Sequence, residues 1–173
     1  MGLAKTQNMR SRQNLFLAIL CAVATSACGF EAPRSSTVKT PYWASLRYNE
    51  TNMRVGPSRE YPVEWVYQRK GLPVKVLRTR DEWRLVTDVE GTKGWISRSQ
   101  LSPARSVVVT GETEVDLREA PQEGGVPLWQ AQPGVIGALV SCESNWCNID
   151  IAGRSGWVSA ERLWGDEELN PAS

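Results

Sequence analysis

The chain has 173 residues and no histidine. That removes Ser-His and Cys-His nucleophile pairs and any imidazole metal ligand at the outset. Among the carboxylates of the repeat, Asp81-Glu82 and Glu112-x-Glu114-x-Asp116 stand close together. Alternate acids on a strand share one face, so the second cluster is either a cation-binding row or a like-charged edge that discourages strand pairing. Paired-carboxylate hydrolysis needs a large cleft around both acids, which small domains do not supply. The residue types therefore predict a protein that is not an enzyme and that carries no metal or cofactor.

Two cysteines offer covalent chemistry. Cys142 and Cys147 flank Glu143-Ser144-Asn145-Trp146. In a hairpin with that loop they face each other across the strands, at a separation a disulfide bridges. A redox pair or half a zinc site would need the closer Cys-x-x-Cys spacing or further ligands. A structural disulfide is the expectation.

The remaining candidates are aromatic. Tyr42, Trp43, Tyr48, Tyr61, Trp65 and Tyr67 fall within 26 residues and include all four tyrosines of the chain. Tyr and Trp combine apolar area with one polar handle at little rotamer cost, which suits a wet recognition surface. Arg59, Arg69 and Lys70 lie beside them in sequence and suit a peptide carboxylate. The candidate ligand-binding set is Tyr48, Arg59, Tyr61, Trp65, Tyr67 and Arg69. The competing reading is that these aromatics fill a core or pack against a neighbouring domain.

The elements that must hold these residues are written twice. Asn52-Met53-Arg54, Pro57, Gly71, Val76-Leu77, Trp83, Gly91, Gly94-Trp95, Ser97 and Leu101 return as Asp116-Leu117-Arg118, Pro121, Gly134, Leu139-Val140, Trp146, Gly153, Gly156-Trp157, Ser159 and Leu163. The offset falls from 64 to 63 to 62 along the repeat, which two single-residue deletions in turns explain. Within each copy, short β-branched and aromatic runs such as Val74–Arg78 and Trp83–Val86 are separated by polar or glycine turns, here 79–82 and 90–94. Trp95 and Trp157, each before an aliphatic residue, are expected in the core. Of Trp83 and Val86, as of Trp146 and Ile149, one must face outward. No apolar stripe at helical spacing follows the N-terminus. Two small barrels or sandwiches are predicted, each marginal alone and helped by contact with the other or by a covalent staple.

The stretch Asn-Met-Arg-Val-Gly-Pro at 52–57, with Gly71, the Trp83 strand and Gly-Trp-Ile-Ser at 94–97 ending in Leu101, resembles the bacterial SH3-like (SH3b) domain. The second copy is similar more loosely, with Asp116 for the Asn and Glu119-Ala120-Pro121 for Val-Gly-Pro. The resemblance covers about residues 42 to 165. It implies an all-β fold of two tandem SH3-like β-barrels, and attachment to peptidoglycan, its peptides or an envelope protein. The aromatics concentrate in the first copy, around the long loop expected between the Asn52-Met53-Arg54 strand and Gly71, and ligand binding is expected there. Eukaryotic SH3 domains take extended peptides in an aromatic groove near that loop, so the resemblance implies a similar location. A structural or scaffold protein whose barrels pack on each other or on a partner is the alternative.

Ahead of the repeat, residues 1–27 carry Lys5, Arg10 and Arg12, then the apolar run Leu15–Ala24 and small residues to Ala27. That is signal-peptide patterning, too short to span a bilayer. It predicts export to the periplasm or cell surface. Cys28 follows Thr25-Ser26-Ala27 and has two readings: a lipidated first residue, despite Thr25 where a large aliphatic is usual, or a free terminus after ordinary cleavage. Membrane contact is expected only through the signal peptide or a lipid on Cys28. The predicted division is 1–27 signal peptide, 28–41 flexible tether, 42–103 first domain, 104–165 second domain and 166–173 acidic, fraying tail. Residues 42–103 hold 11 basic and 7 acidic side chains, net +4; residues 104–165 hold 4 and 8, net −4. The halves either attract each other or simply differ in solvated surface. Without a basic stripe, nucleic acid is not an expected partner.

Overall fold

The computed structural model describes residues 39–167. The expected signal peptide, nearly all of the expected tether including Cys28, and residues 168–173 of the expected tail lie outside them. The described chain forms two seven-stranded antiparallel sheets, with no α-helix among the described residues. The first holds β1 (Tyr42–Leu46), β2 (Thr51–Arg54), β3 (Val63–Tyr67), β4 (Pro73–Arg80), β5 (Trp83–Thr87), β6 (Lys93–Ser97) and β7 (Leu101–Ser102), in the order β3-β2-β6-β5-β4-β1-β7. The second repeats that order with β8 (Ser106–Val109), β9 (Val115–Arg118), β10 (Pro127–Ala131), β11 (Ile136–Glu143), β12 (Trp146–Ile151), β13 (Arg154–Ser159) and β14 (Leu163–Trp164). The all-β class and the tandem arrangement are as the sequence predicts.

Each sheet wraps its own core. Leu46, Met53, Val74, Val76, Val86 and Ile96 fill the first; Val107, Val109, Leu117, Cys147, Ile149 and Val158 fill the second. Strand alternation puts Arg84 and Val86 of β5 inside and leaves Trp83 and Leu85 only partly covered. The closing strands depart from expectation. Ile96 and Val158 take the core positions, which turns Trp95 and Trp157 to the opposite face. Trp95 is still covered there, paired with Arg54 of β2 and with the Arg78 guanidinium 5.7 Å from its ring. Gly94 and Gly156 precede these tryptophans because β2 and β9 pass directly over them: a Cβ on Gly94 would lie 2.5 Å from Met53 Cγ, and one on Gly156 2.7 Å from Leu117 Cβ.

The hairpins are tighter than predicted. β4 runs through Arg80 and turns in two residues, Asp81 and Glu82, with Asp81 at φ 48°. Ser144 does the same in the second copy at φ 55°. The copies then brace these hairpins differently. In barrel 2, Cys142 and Cys147 stand opposite each other in the β11–β12 register and form a disulfide, with Cα atoms 4.0 Å apart. In barrel 1 the place of Cys147 is taken by Arg84, almost wholly buried, whose Nε donates to the Tyr42 hydroxyl (3.1 Å) and whose Nη1 donates to the Asp81 and Trp83 carbonyls (2.8 and 3.0 Å). A buried guanidinium is tolerable because acceptors replace its water. Closing so short a loop with a disulfide contributes about 2 kcal/mol at most. Intact mass before and after reduction should differ by two hydrogens for this bridge; two free thiols in protein taken from an oxidising compartment would overturn it.

The barrels pack on each other. β1 and β8 are buried along their whole lengths, one face toward their own core and the other toward the neighbouring barrel. Trp43 meets Trp164 edge-on at 4.6 Å. The Ser106 hydroxyl donates to the Gly71 carbonyl (2.7 Å), and Ile136 of the second copy packs on the first core. One ion pair at the junction, Lys75–Glu167 at 2.8 Å, joins the first half to the start of the tail and is partly exposed, so it adds little beside the apolar contact. Glu167 and its neighbours are also held from the other side: Arg105 Nη2 donates to the carbonyls of Gly165 and Glu167 (2.8 and 3.0 Å). The start of the tail is therefore fastened, which corrects the expectation of fraying for residues 166 and 167.

Candidate functional site

The stretch between β2 and Gly71, expected as a long loop, contains β3, and β3 carries the site. It pairs with β2 through a bulge that sets Met53 opposite Trp65 and Arg54 opposite Val63. As an edge strand it is covered on one side only: Val63, Glu64, Trp65 and Val66 are exposed and Tyr67 alone is buried. The Tyr67 hydroxyl donates to Asp88 Oδ2 at 2.8 Å and lies 3.6 Å from Met53 Sδ. Asp88, itself buried, accepts at Oδ1 from the backbone N–H of Glu90 (3.0 Å) and Thr92 (2.8 Å), so one carboxylate fixes both the tyrosine and the 88–92 turn. Burial pushes the Tyr67 hydroxyl far above the usual tyrosine range; its hydrogen bond to Asp88 and the negative charges of Asp88 and Glu90 push it further. Tyr67 is a neutral donor at every physiological pH.

Over this buried pair stands Trp65, 54% exposed, its ring 6.4 Å from that of Tyr67 and inclined by 62°. Together with Arg69, Asp88 and Glu90, and with Val108 and Gly134 from the second barrel, they line a groove of about 430 Å³ at the junction of the barrels. An exposed tryptophan above a groove with a few converging polar groups is the usual form of a small recognition site.

Of the six predicted ligand residues the groove gathers three, Trp65, Tyr67 and Arg69. Tyr67 is a correction in role: its ring is in the core and its hydroxyl is committed to Asp88, so it shapes the site from beneath. Arg69 is exposed, but its Nη2 donates to the Gly134 carbonyl of the second barrel at 2.8 Å. Tyr61 precedes β3, half exposed, its ring packed against Gly56. Tyr48 and Arg59 sit on the turns before β2 and β3. Two further aromatics of the sequence cluster serve packing: Tyr42 bonds Arg84, and Trp43 fills the inter-barrel contact.

Sequence reasoning passed over Trp129, although it follows Trp65 at the same offset of 64 as Arg118 follows Arg54. It stands exposed on the edge strand β10 and lines an equivalent groove of about 610 Å³ with Gln130, Ala131, Gln132, Ile151 and Arg154. Ala131 occupies the place of Tyr67, and Ile151 that of Val89. The second copy therefore repeats the tryptophan platform without the tyrosine–aspartate pair below it.

Two small antiparallel barrels in tandem, each with an open aromatic groove beside its edge strand, define the class of the chain as a duplicated small-barrel protein. The chain belongs to the bacterial SH3 domain family, whose sequence model matches residues 47–103 and 111–165. It is 24% identical over 157 residues to the Bacillus subtilis (strain 168) protein named "Putative N-acetylmuramoyl-L-alanine amidase YrvJ", a match that takes in 84% of this chain and 30% of that one. The chain thus spans under a third of the length of this relative. Among solved structures it is similar to NlpC1 from Trichomonas vaginalis (15% identity, TM-score 0.33, 75% of this chain and 47% of that one). It is similar also to an NlpC/P60 family protein from Bacillus cereus ATCC 10987 (15%, 0.32, 72% and 57%). Likeness at that level adds nothing to the fold, which rests on the sheets and the family match.

Proposed function

We propose that the chain is an exported, noncatalytic binding module of the cell envelope that contacts peptidoglycan, its peptides or an envelope protein through barrel 1. In this reading a signal peptide (1–27) directs export to the periplasm or cell surface, and a tether (28–41), with or without a lipid on Cys28, leads to domains 42–103 and 104–165. The observation that carries it is the exposed Trp65 above a polar groove, in a chain similar to a protein named as a putative N-acetylmuramoyl-L-alanine amidase. A scaffold role is the second reading, favoured by the extensive packing of β1 against the second barrel.

Retention on purified cell-wall sacculi separates the two. The native chain should be retained. Changing Tyr61 and Trp65 together to Ala should abolish retention while costing stability about 1 kcal/mol or less, since both rings are half exposed. Equal retention of the folded double variant would remove barrel 1 as the binding surface, and complete flow-through of the native chain would favour the scaffold.

A further inference from the structure

The repeat supplies its own control for what the barrel-1 groove takes. Thr92 and Arg154 are equivalent, at the offset of 62 that relates Gly94 to Gly156. In barrel 2 the Arg154 guanidinium lies over the Trp129 ring, 5.0 Å from its centroid, and both residues line that groove. In barrel 1 the residue there is a threonine, too short to cover Trp65. Among the described residues, cations lie over Trp43, Trp95 and Trp129, and none over Trp65. The charge on the turn is exchanged as well: Glu90 lines the barrel-1 groove where barrel 2 has Ala152. Glu114 lines the barrel-2 groove, so both grooves hold a carboxylate. Barrel 1 keeps the aromatic platform and has Asp88 and Glu90 in its lining, but lacks the cation that barrel 2 provides for itself.

We infer that the barrel-1 groove binds a cationic side chain of an extended peptide, a protonated primary amine seated on Trp65 with Glu90 as its counter-charge, and that Arg154 closes barrel 2 to the same ligand. A cation over an indole face is held by the ring quadrupole, and a neighbouring carboxylate adds direct Coulombic attraction. Glu90 is exposed and available for contact. Asp88 is spent on Tyr67 and the turn, so it contributes field and not contact. The upward shift of the Tyr67 hydroxyl, to which both carboxylates add after burial, reflects the negative potential at this end of the groove. Arg69 is the one cation in the lining, and its Nη2 is engaged by Gly134. β3 leaves one edge unpaired beside Trp65, which gives an extended peptide backbone hydrogen bonds along its length.

The inference rests on the binding role proposed above and names its ligand class. The test titrates the full-length, ¹⁵N-labelled protein with the capped pentapeptide Ala-Gly-Lys-Gly-Ala and with the same peptide acetylated on the lysine Nζ, following the two indole N–H resonances of Trp65 and Trp129. The free-amine peptide should shift Trp65 and leave Trp129 in place, and the acetylated peptide should shift neither. Glu90→Gln should weaken binding about three- to tenfold. Thr92→Arg, which installs what barrel 2 already accommodates, should abolish the Trp65 response with the amide spectrum otherwise preserved. Equal shifts with the acetylated peptide, no shift with either, or an unchanged response in Thr92→Arg would overturn the inference, and the acetylation comparison needs no variant to fold. Sacculus retention that depends on Trp65 without any amine response would keep the binding role and remove the amine. An amine response without sacculus retention would do the reverse.

Discussion

Trp43→Ala is expected to cost about 3–5 kcal/mol, the usual range for truncating a buried tryptophan, and to unfold the two barrels separately. Trp43 is 4% exposed although it lies on the outer face of β1, because Trp164 of the second barrel covers it edge-on and the Lys75 ammonium lies 5.6 Å from its ring. Removing the indole empties the centre of the inter-barrel contact, and domains near 60 residues are marginal without such support. Urea unfolding of the native chain should show one transition, and the variant should show two, each at lower urea. Trp43→Phe should cost far less, on the order of 1 kcal/mol, because the ring contact survives and the buried Nε1, which meets no acceptor among the described residues, is removed. A single unshifted transition in Trp43→Ala would mean that the barrels do not support each other.

The second large effect is at Gly156. A methyl group there would sit 2.7 Å from Leu117 Cβ, 3.0 Å from its carbonyl carbon and 3.2 Å from its Cα, so β9 itself must move away from β13. Overpacking of this kind costs about 1–3 kcal/mol, and the upper end is expected where backbone is displaced. The equivalent Gly94→Ala meets chiefly Met53 Cγ and Sδ at 2.5 and 2.7 Å, an unbranched side chain with rotamers to spare, and should cost less. Thermal denaturation of both variants checks the order, and a smaller effect at Gly156 would contradict it.

Much of this fold was legible because it is written twice: the glycines, the Trp83 and Trp146 strands and the closing Gly-Trp pairs mark short strands and turns in both copies. The disulfide followed from hairpin spacing alone. What stayed hidden depended on contacts that periodicity does not carry. The bulge opposite Met53 breaks the alternation of β3, so nothing in Val-Glu-Trp-Val-Tyr says that Trp65 stays out while Tyr67 goes in. Trp95 reads as core by composition, yet the core position belongs to Ile96, and its burial comes with Arg54 on the adjacent strand β2 and Arg78 on β4, two strands away. Trp43 belongs to the aromatic cluster, but nothing local shows that it packs between the barrels, because its partner lies 121 positions along the chain. Arg69 was read as awaiting a carboxylate, whereas the second barrel offers it a carbonyl.

The two ways of bracing the equivalent hairpins also bear on how a duplicated chain avoids assembling the wrong halves. Tandem copies of one topology invite strand exchange during folding. A β4–β5 hairpin that strayed into barrel 2 would bring Arg84 to a position whose backbone neighbour, through the register of β11 with β8, is Arg105 and not Tyr42. Its guanidinium would lose the hydroxyl acceptor it has at home. A β11–β12 hairpin in barrel 1 would leave the Tyr42 hydroxyl without Arg84 as its donor. The divergence at this single site thus gives each half a chemical address, so that the copies tell themselves apart while sharing one fold.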